Sequence, residues 1–239
     1  MKNLKFIPHV FAILALAGGS AQAVIVINTA SNPTGTPNTS TDELAYASFV
    51  STTDLLHGIV GTGGSWNTIV PSASPSGLND GTHGGDGGIL TGAAFANDGT
   101  SSTRTFDLGG GPGGLGFNIT EIQSIAAWFN AGYANQKYQV YVSLVGSAAF
   151  TLLTTVDFQP FAVGGGAATK VNIVDSTPGA FIATGVDAIQ FNILDTISSN
   201  SGGVVMREID VFGSAVVPEP TSALLIGMAG LTILRRRRA

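Results

Sequence analysis

Along the second half of the chain, apolar and polar side chains alternate in short runs. Tyr138, Val140, Val142 and Leu144 are interleaved with Gln139, Tyr141 and Ser143, the period of two that turns one face of a strand to a core and the other to water. Comparable runs recur at residues 150–158, 168–174, 186–194 and 204–212, each separated by glycine- or serine-rich breaks. Two further strands are predicted upstream, at 24–27 and 119–129. No helical period lies between them, so the pattern predicts an all-β fold, an antiparallel β-sandwich rather than a parallel sheet covered by helices. The core face should carry Val140, Val142, Ile189, Phe191, Ile193, Ile209 and Val211, with Trp128 beside them.

Residues 28–89 read differently. Ser40 and Glu43 have capping-box spacing ahead of Leu44, which predicts a short helix there. From 61 to 88 the stretch is loop-rich, and connections of that length in a compact domain are commonly functional or disordered.

Both ends carry apolar segments of another kind. Lys2 and Lys5, an apolar stretch over 10–17 and the small-residue ending Ala21-Gln22-Ala23 have the three-part layout of a secretory signal peptide, a helix removed after residue 23. At the other end, Val217-Pro218-Glu219-Pro220 precedes an apolar run over 221–234 and then Arg235, Arg236, Arg237 and Arg238. The two prolines hold the backbone around Glu219 extended and out of any helix. The apolar run is hydrophobic on all sides, which suits lipid. As a helix it reaches about 21 Å, short of the roughly 30 Å hydrocarbon core of a bilayer. The arginines stay cytoplasmic under the positive-inside rule and act as a stop-transfer clamp.

This order of VPEP, short apolar helix and arginine cluster resembles the PEP-CTERM sorting signal of Gram-negative bacteria. The resemblance implies a membrane-embedded exosortase that cuts near the motif, a transient inner-membrane intermediate, and delivery to the cell surface or extracellular matrix. The chain therefore divides into a signal peptide (1–23), a β-sandwich domain (24–213, most regular over 106–213) and a sorting tail (214–239).

Composition sharpens this division. The whole chain has a formal net charge of −5. Setting aside Lys2, Lys5 and the four terminal arginines leaves Arg104, Lys137, Lys170 and Arg207 against fifteen acidic residues between Val24 and Pro220, a net −11 for the exported part. Phosphate backbones and anionic lipid surfaces are held mainly through clustered Lys and Arg, so nucleic acid is excluded as a partner. There are no cysteines, hence no disulfide framework and no thiol chemistry.

A second resemblance runs through the domain. Leu78-Asn79-Asp80-Gly81, Thr105-Phe106-Asp107-Leu108-Gly109, the stretch 122–128, Tyr138-Gln139-Val140-Tyr141-Val142-Ser143, Ile189-Gln190-Phe191 and Arg207-Glu208-Ile209-Asp210-Val211-Phe212-Gly213 follow the order of landmarks in discoidin-type, galactose-binding-like jelly rolls, which this chain resembles from 78 to 213. The cysteine pair that closes many such domains is missing. The resemblance implies a jelly-roll sandwich, and carbohydrate as the ligand class to weigh.

Candidate chemistry is sparse. No serine stands in a nucleophile elbow, and His57, between Leu56 and Gly58, reads as a surface residue ending a short element. No pair of carboxylates is set apart as the acid and base of a glycosidase. No catalytic residue is assigned. Trp66, in the long loop, and Tyr133, in a break between strands, are the aromatics best placed to stack on a sugar, because loops carry binding residues while strand aromatics mostly fill cores. The loop 79–88 concentrates oxygen ligands and glycine, and Asp80 and Asp86 are its candidate calcium ligands, although no closing Glu completes an EF-hand spacing. Otherwise the loop is a structural turn and no cofactor is implied. Three functional readings stand: a non-enzymatic surface or matrix protein associated with exopolysaccharide, a carbohydrate-binding module with a defined sugar pocket, and a glycoside hydrolase.

Overall fold

The computed structural model describes residues 23–34, 40–64, 74–85, 94–96, 103–162, 164–194, 196 and 203–217. The signal-peptide segment 1–22, Trp66, Asp86, Pro218 to Pro220, the apolar run 221–234 and the terminal arginines lie outside them. Among the described residues, no helix is long and apolar enough to cross a membrane.

The described residues form nine strands: β1 (Ile25–Asn32), β2 (Ala94–Ala96), β3 (Thr103–Asp107), β4 (Phe117–Trp128), β5 (Gln136–Leu144), β6 (Thr151–Phe158), β7 (Ala167–Asp175), β8 (Ala183–Ile193) and β9 (Val204–Ala215). Every pairing between them is antiparallel. The pairings form two sheets. One runs β1-β7-β4-β9-β2 and the other β6-β5-β8-β3. They join at one corner, where Phe117 at the start of β4 pairs with Val186 of β8, before β4 continues between β7 and β9 as far as Trp128 and Ala126 respectively. The fold is thus the antiparallel β-sandwich that the alternation predicts.

Gly116 makes the corner possible. Its φ is +79°, and a Cβ there would lie 2.7 Å from the Gly185 carbonyl carbon and from the Val186 carbonyl oxygen, too close for any side chain and in a backbone region that favours glycine.

The predicted core residues are all buried in one cluster: Val140, Val142, Ile189, Phe191 and Ile193 from one sheet, Ile209 and Val211 from the other. Ile122, Val171, Ile173 and Met206 complete the facing layer, and Trp128 is buried as expected. Phe191 meets Phe106 and Tyr138, each at 6.2 Å between ring centroids. A polar bridge spans the layers. The Ser124 hydroxyl on β4 donates to Gln136 Oε1 at 2.6 Å and lies 2.7 Å from the Tyr138 hydroxyl on β5, while Gln136 Nε2 donates to Thr169 Oγ1 on β7 at 2.9 Å. Buried polar groups satisfied in this way fix the offset of the two sheets, since leaving one unpaired costs about 1–3 kcal/mol.

Four 3-10 turns interrupt the strands, at Ser40–Leu44, Ala47–Phe49, Pro75–Leu78 and Ala131–Ala134. The first coincides with the predicted short helix. The third shows its capping chemistry plainly: Ser74 Oγ accepts from the Ser76 amide at 3.3 Å, and Pro75 occupies the first position, where its missing N–H is no loss.

Candidate functional site

The irregular segments 40–64 and 74–85 are not free-standing; β9 holds them. Arg207 is fully buried and donates from Nη2 to Glu43 Oε2 at 3.2 Å, from Nε to the Ala127 carbonyl at 2.9 Å and from Nη1 to the His83 carbonyl at 3.3 Å. Glu43 is buried as completely as its partner. One residue on, Glu208 Oε1 accepts from the Gly81 amide at 3.0 Å. Asp210 Oδ1 accepts from the Ser51 amide, and its Oδ2 from Gln123 Nε2 at 2.8 Å. Asp54 Oδ1 takes the amides of Leu56 and Val211. His83 is buried with neither ring nitrogen hydrogen-bonded.

Burial without enough donors sets the charge states here. Glu208 is pushed up to about 9, first by burial and then by the neighbouring Asp210, Asp80 and Asp54, with the Gly81 amide opposing. Asp210 is pushed up to about 7 by burial, against the hydrogen bond from Gln123. Burial lowers His83 to about 4, helped by the Arg207 charge. Glu208 Oε2 and Asp54 Oδ2 are buried with no hydrogen-bond partner.

These anchors place two loop segments side by side against β3, leaving a groove of about 240 Å³ lined by His57, Ile59, Ser76, Asn79, Asp80 and Arg104, among others. Asn79 is buried and donates from Nδ2 to the carbonyls of Leu56 and Ile59, which pins one wall to the other. Thr62 and Thr105 exchange backbone hydrogen bonds at 2.8 and 2.9 Å, which ties the 57–63 loop to β3. Arg104, on β3, donates from Nη1 to the Gly63 carbonyl at 3.0 Å, but its Nε is buried without a partner. A Cβ at Gly61 would lie 2.7 Å from that Nε, so glycine lets the loop pass this close to the guanidinium.

The predicted site residues fare differently. His57 is at the surface, as expected, and borders the groove. Asp80 lines the groove, and its Oδ1 accepts from the Thr82 amide at 2.9 Å. Tyr133 sits half-buried on the 3-10 turn Ala131–Ala134 and is not part of this groove. Trp66 and Asp86 are outside the described residues. Among those, no three His, Asp or Glu side chains converge closely enough to hold a metal ion. Asn79, Arg104 and Glu208 were not singled out from the sequence. A signal for Glu208 existed, since two adjacent charges interrupt the apolar run of β9. For Arg104 it was the scarcity of cations in the domain.

No family model matches the chain, and no curated protein does. Solved structures with a similar arrangement include the module CpGH89CBM32-5 of Clostridium perfringens in complex with GalNAc-β-1,3-galactose (15% identity, 67% of this chain and 99% of that one, TM-score 0.43). A second is a module from a family 31 glycoside hydrolase of the same organism (14%, 67% and 97%, 0.44). A third is the family 32 carbohydrate-binding module of Streptococcus pneumoniae EndoD (10%, 67% and 99%, 0.44).

The charge states carry a pH dependence with a definite sign. Glu208 and Asp210 titrate higher in the folded chain than in the unfolded one, so their contribution is present at low pH and lost as pH rises through about 9 and about 7. His83 titrates lower when folded, so its contribution is present above its ordinary value of 6.5 and lost as pH falls through about 4. In chelator, the melting temperature should fall between pH 6.5 and 9. Glu208→Gln, which keeps the shape without titrating, should flatten that slope. A variant as steep as the parent would remove Glu208 from the explanation.

Proposed function

We propose that the chain is a non-enzymatic, exported carbohydrate-binding protein whose sugar seat is the groove between His57, Asn79, Asp80 and Arg104, and which reaches the cell exterior through its PEP-CTERM-like tail. The observation that carries the binding reading is Arg104. A guanidinium held through Nη1 by the Gly63 carbonyl faces the same groove as a carboxylate, an imidazole and a serine hydroxyl. Adjacent hydroxyls of a sugar both donate and accept, and a donor beside an acceptor is the arrangement that takes them. The volume, about 240 Å³, lies below that of pockets for drug-sized ligands and suits one or two sugar rings. A defined groove favours a carbohydrate-binding module with a particular pocket over loose association with exopolysaccharide. The one hydroxyl among the groove's described serines, Ser76, lies 2.8 Å from that of Ser74 and is engaged there, and Asp80 is the groove's single carboxylate, so neither a triad nor an opposed carboxylate pair supports hydrolysis.

Calcium is a separate proposal, supported by one atom. Glu208 Oε2 is fully buried, unpartnered, and set beneath the loop whose Gly81 amide binds its other oxygen. Calcium takes carboxylate and carbonyl oxygens from glycine-rich loops, and Glu208 with Asp80 and Asp86 would supply three carboxylates. Such an ion would hold the loop that forms one wall of the groove. For export, the support is the sequence of the two ends, with Val217, 76% exposed just after β9, at the start of the motif.

Titrating the full chain with galactose and N-acetylgalactosamine should give saturable binding without product. Arg104→Ala should weaken it about ten- to a hundredfold, the worth of a hydrogen bond to a charged group. Equal affinity in parent and variant would empty the groove of its role. Saturating calcium should raise the melting temperature of the parent, by about 2.7 kcal/mol in stability at 100 times Kd, and leave Glu208→Gln unmoved; a parent indifferent to calcium would dispose of the ion. In a host with an exosortase, mass spectrometry should find the mature protein ending near 217–220, and replacing Pro218, Glu219 and Pro220 by alanine should strand it in the inner membrane. An intact C-terminus through Ala239 on the cell exterior would make the tail a plain anchor.

A further inference from the structure

We propose a second binding site, on the outer face of β1 and β7, that takes the carboxylate-bearing sugars of an acidic polysaccharide, with Lys170 as its anion contact. It rests on the carbohydrate reading above for the class of ligand alone; the groove and its residues are separate.

The domain has four basic residues, and their fates differ. Arg207 is buried against Glu43, and Lys137 pairs with Asp157 at 3.6 Å. Among the described residues, Arg104 and Lys170 pair with no carboxylate. Arg104 lines the first groove, and Lys170 lines a second of about 320 Å³, together with Asn28, Thr29, Ala30, Asn172 and Val174. In a domain of net −11, where carboxylates are plentiful, a cation left unpaired at an open groove is available to a carboxylate brought by a ligand.

The groove is built from the sheet itself. Asn28 of β1 stands opposite Asn172 of β7, which stands opposite Gln123 of β4, so amides line up in a row across three strands. The Asn172 amide nitrogen donates to Glu121, which holds that side chain still and leaves its carbonyl and second N–H for another partner. Asn28 is exposed on the edge strand. Beyond that lining, the Lys170 ammonium rests 3.6 Å from the centroid of the Phe49 ring. Phe49 is itself 46% exposed and meets Tyr46 edge-on at 6.1 Å. An ammonium held over a ring is positioned before the ligand arrives, so less side-chain freedom is lost on binding. Ammonium for the carboxylate and amides for the hydroxyls together match a uronic acid residue.

The overall negative charge does not forbid this. At physiological ionic strength, charges more than about 8 Å away are largely screened, so the pairing at Lys170 decides. Of the carboxylates bonded to these strands, Glu121 is engaged by Asn172, Asp210 by Gln123 and Asp42 by Asn32.

The test titrates the full chain with a galacturonate trisaccharide and with its neutral galactose counterpart. Lys170→Gln should weaken galacturonate binding at least tenfold and leave the neutral sugar unchanged. Asn28→Asp, on an exposed position where folding is not at risk, should do the same by placing a like charge in the groove. Arg104→Ala should act on the neutral sugar at the first groove, and its failure to do so would bear on that groove only. A parent that does not bind galacturonate, or Lys170→Gln and Asn28→Asp variants that bind it as the parent does, would overturn the proposal.

Discussion

Three buried ionisable side chains of β9, Arg207, Glu208 and Asp210, hold the irregular part of this chain to its regular part. Each reaches a different place: Arg207 the Glu43 carboxylate and the His83 carbonyl, Glu208 the Gly81 amide, Asp210 the Ser51 amide. Removing a charge from water costs several kcal/mol after relaxation, and it is tolerated only where partners and further hydrogen bonds are supplied. Those partners are loop groups, so the strand holds its polar side chains inside only when segments 40–64 and 74–85 lie in one arrangement. The walls of the first groove are therefore set by polar chemistry in a strand that does not line it.

The buried Arg207–Glu43 pair is a poor source of net stability by the same argument, because a well-packed apolar pair of similar volume is often as stable or more so. Its effect is one of choice among conformations. Without it, nothing apolar would hold the 3-10 turn Ser40–Leu44 at one place on the sandwich, since Leu44 is 39% exposed. Trp128 supports the guanidinium from the β4 side, with the Arg207 carbon centre 5.8 Å from the ring centroid, and the Ala127 carbonyl takes Nε. An arginine suits this position better than a lysine would, because its flat fork can satisfy three acceptors in different directions at once.

The sandwich was legible in the sequence because it is written locally. Alternation in β5, β8 and β9 names Val140, Ile189, Phe191 and Val211 as inward without reference to any distant residue, and those side chains do face the core. The binding candidates were not legible, because their geometry is written at long range. The hydrogen bonds that set the loops join residues 127, 159 and 164 positions apart, and no period or spacing rule connects such positions. Exposed aromatics were the natural guide to a sugar site. Tyr133 followed that guide to a half-buried turn elsewhere, while the groove is organised by Asn79 and Arg104, whose roles depend on what the fold sets beside them.

What unites the two grooves is the shortage of positive charge around them. A surface carrying an excess of carboxylates supplies no long-range attraction for an anionic ligand, and screening leaves the local groups to decide. Attachment through such a surface must come from short-range contacts at defined places. In this domain the cations without a described carboxylate partner stand at such places, each backed by its own support: Arg104 by the Gly63 carbonyl, Lys170 by the Phe49 ring. A positive group fixed by local contacts can discriminate between ligands by geometry, whereas a field of mobile lysines discriminates mainly by charge density. The low basic content of the domain is therefore the same property that sets these two side chains apart.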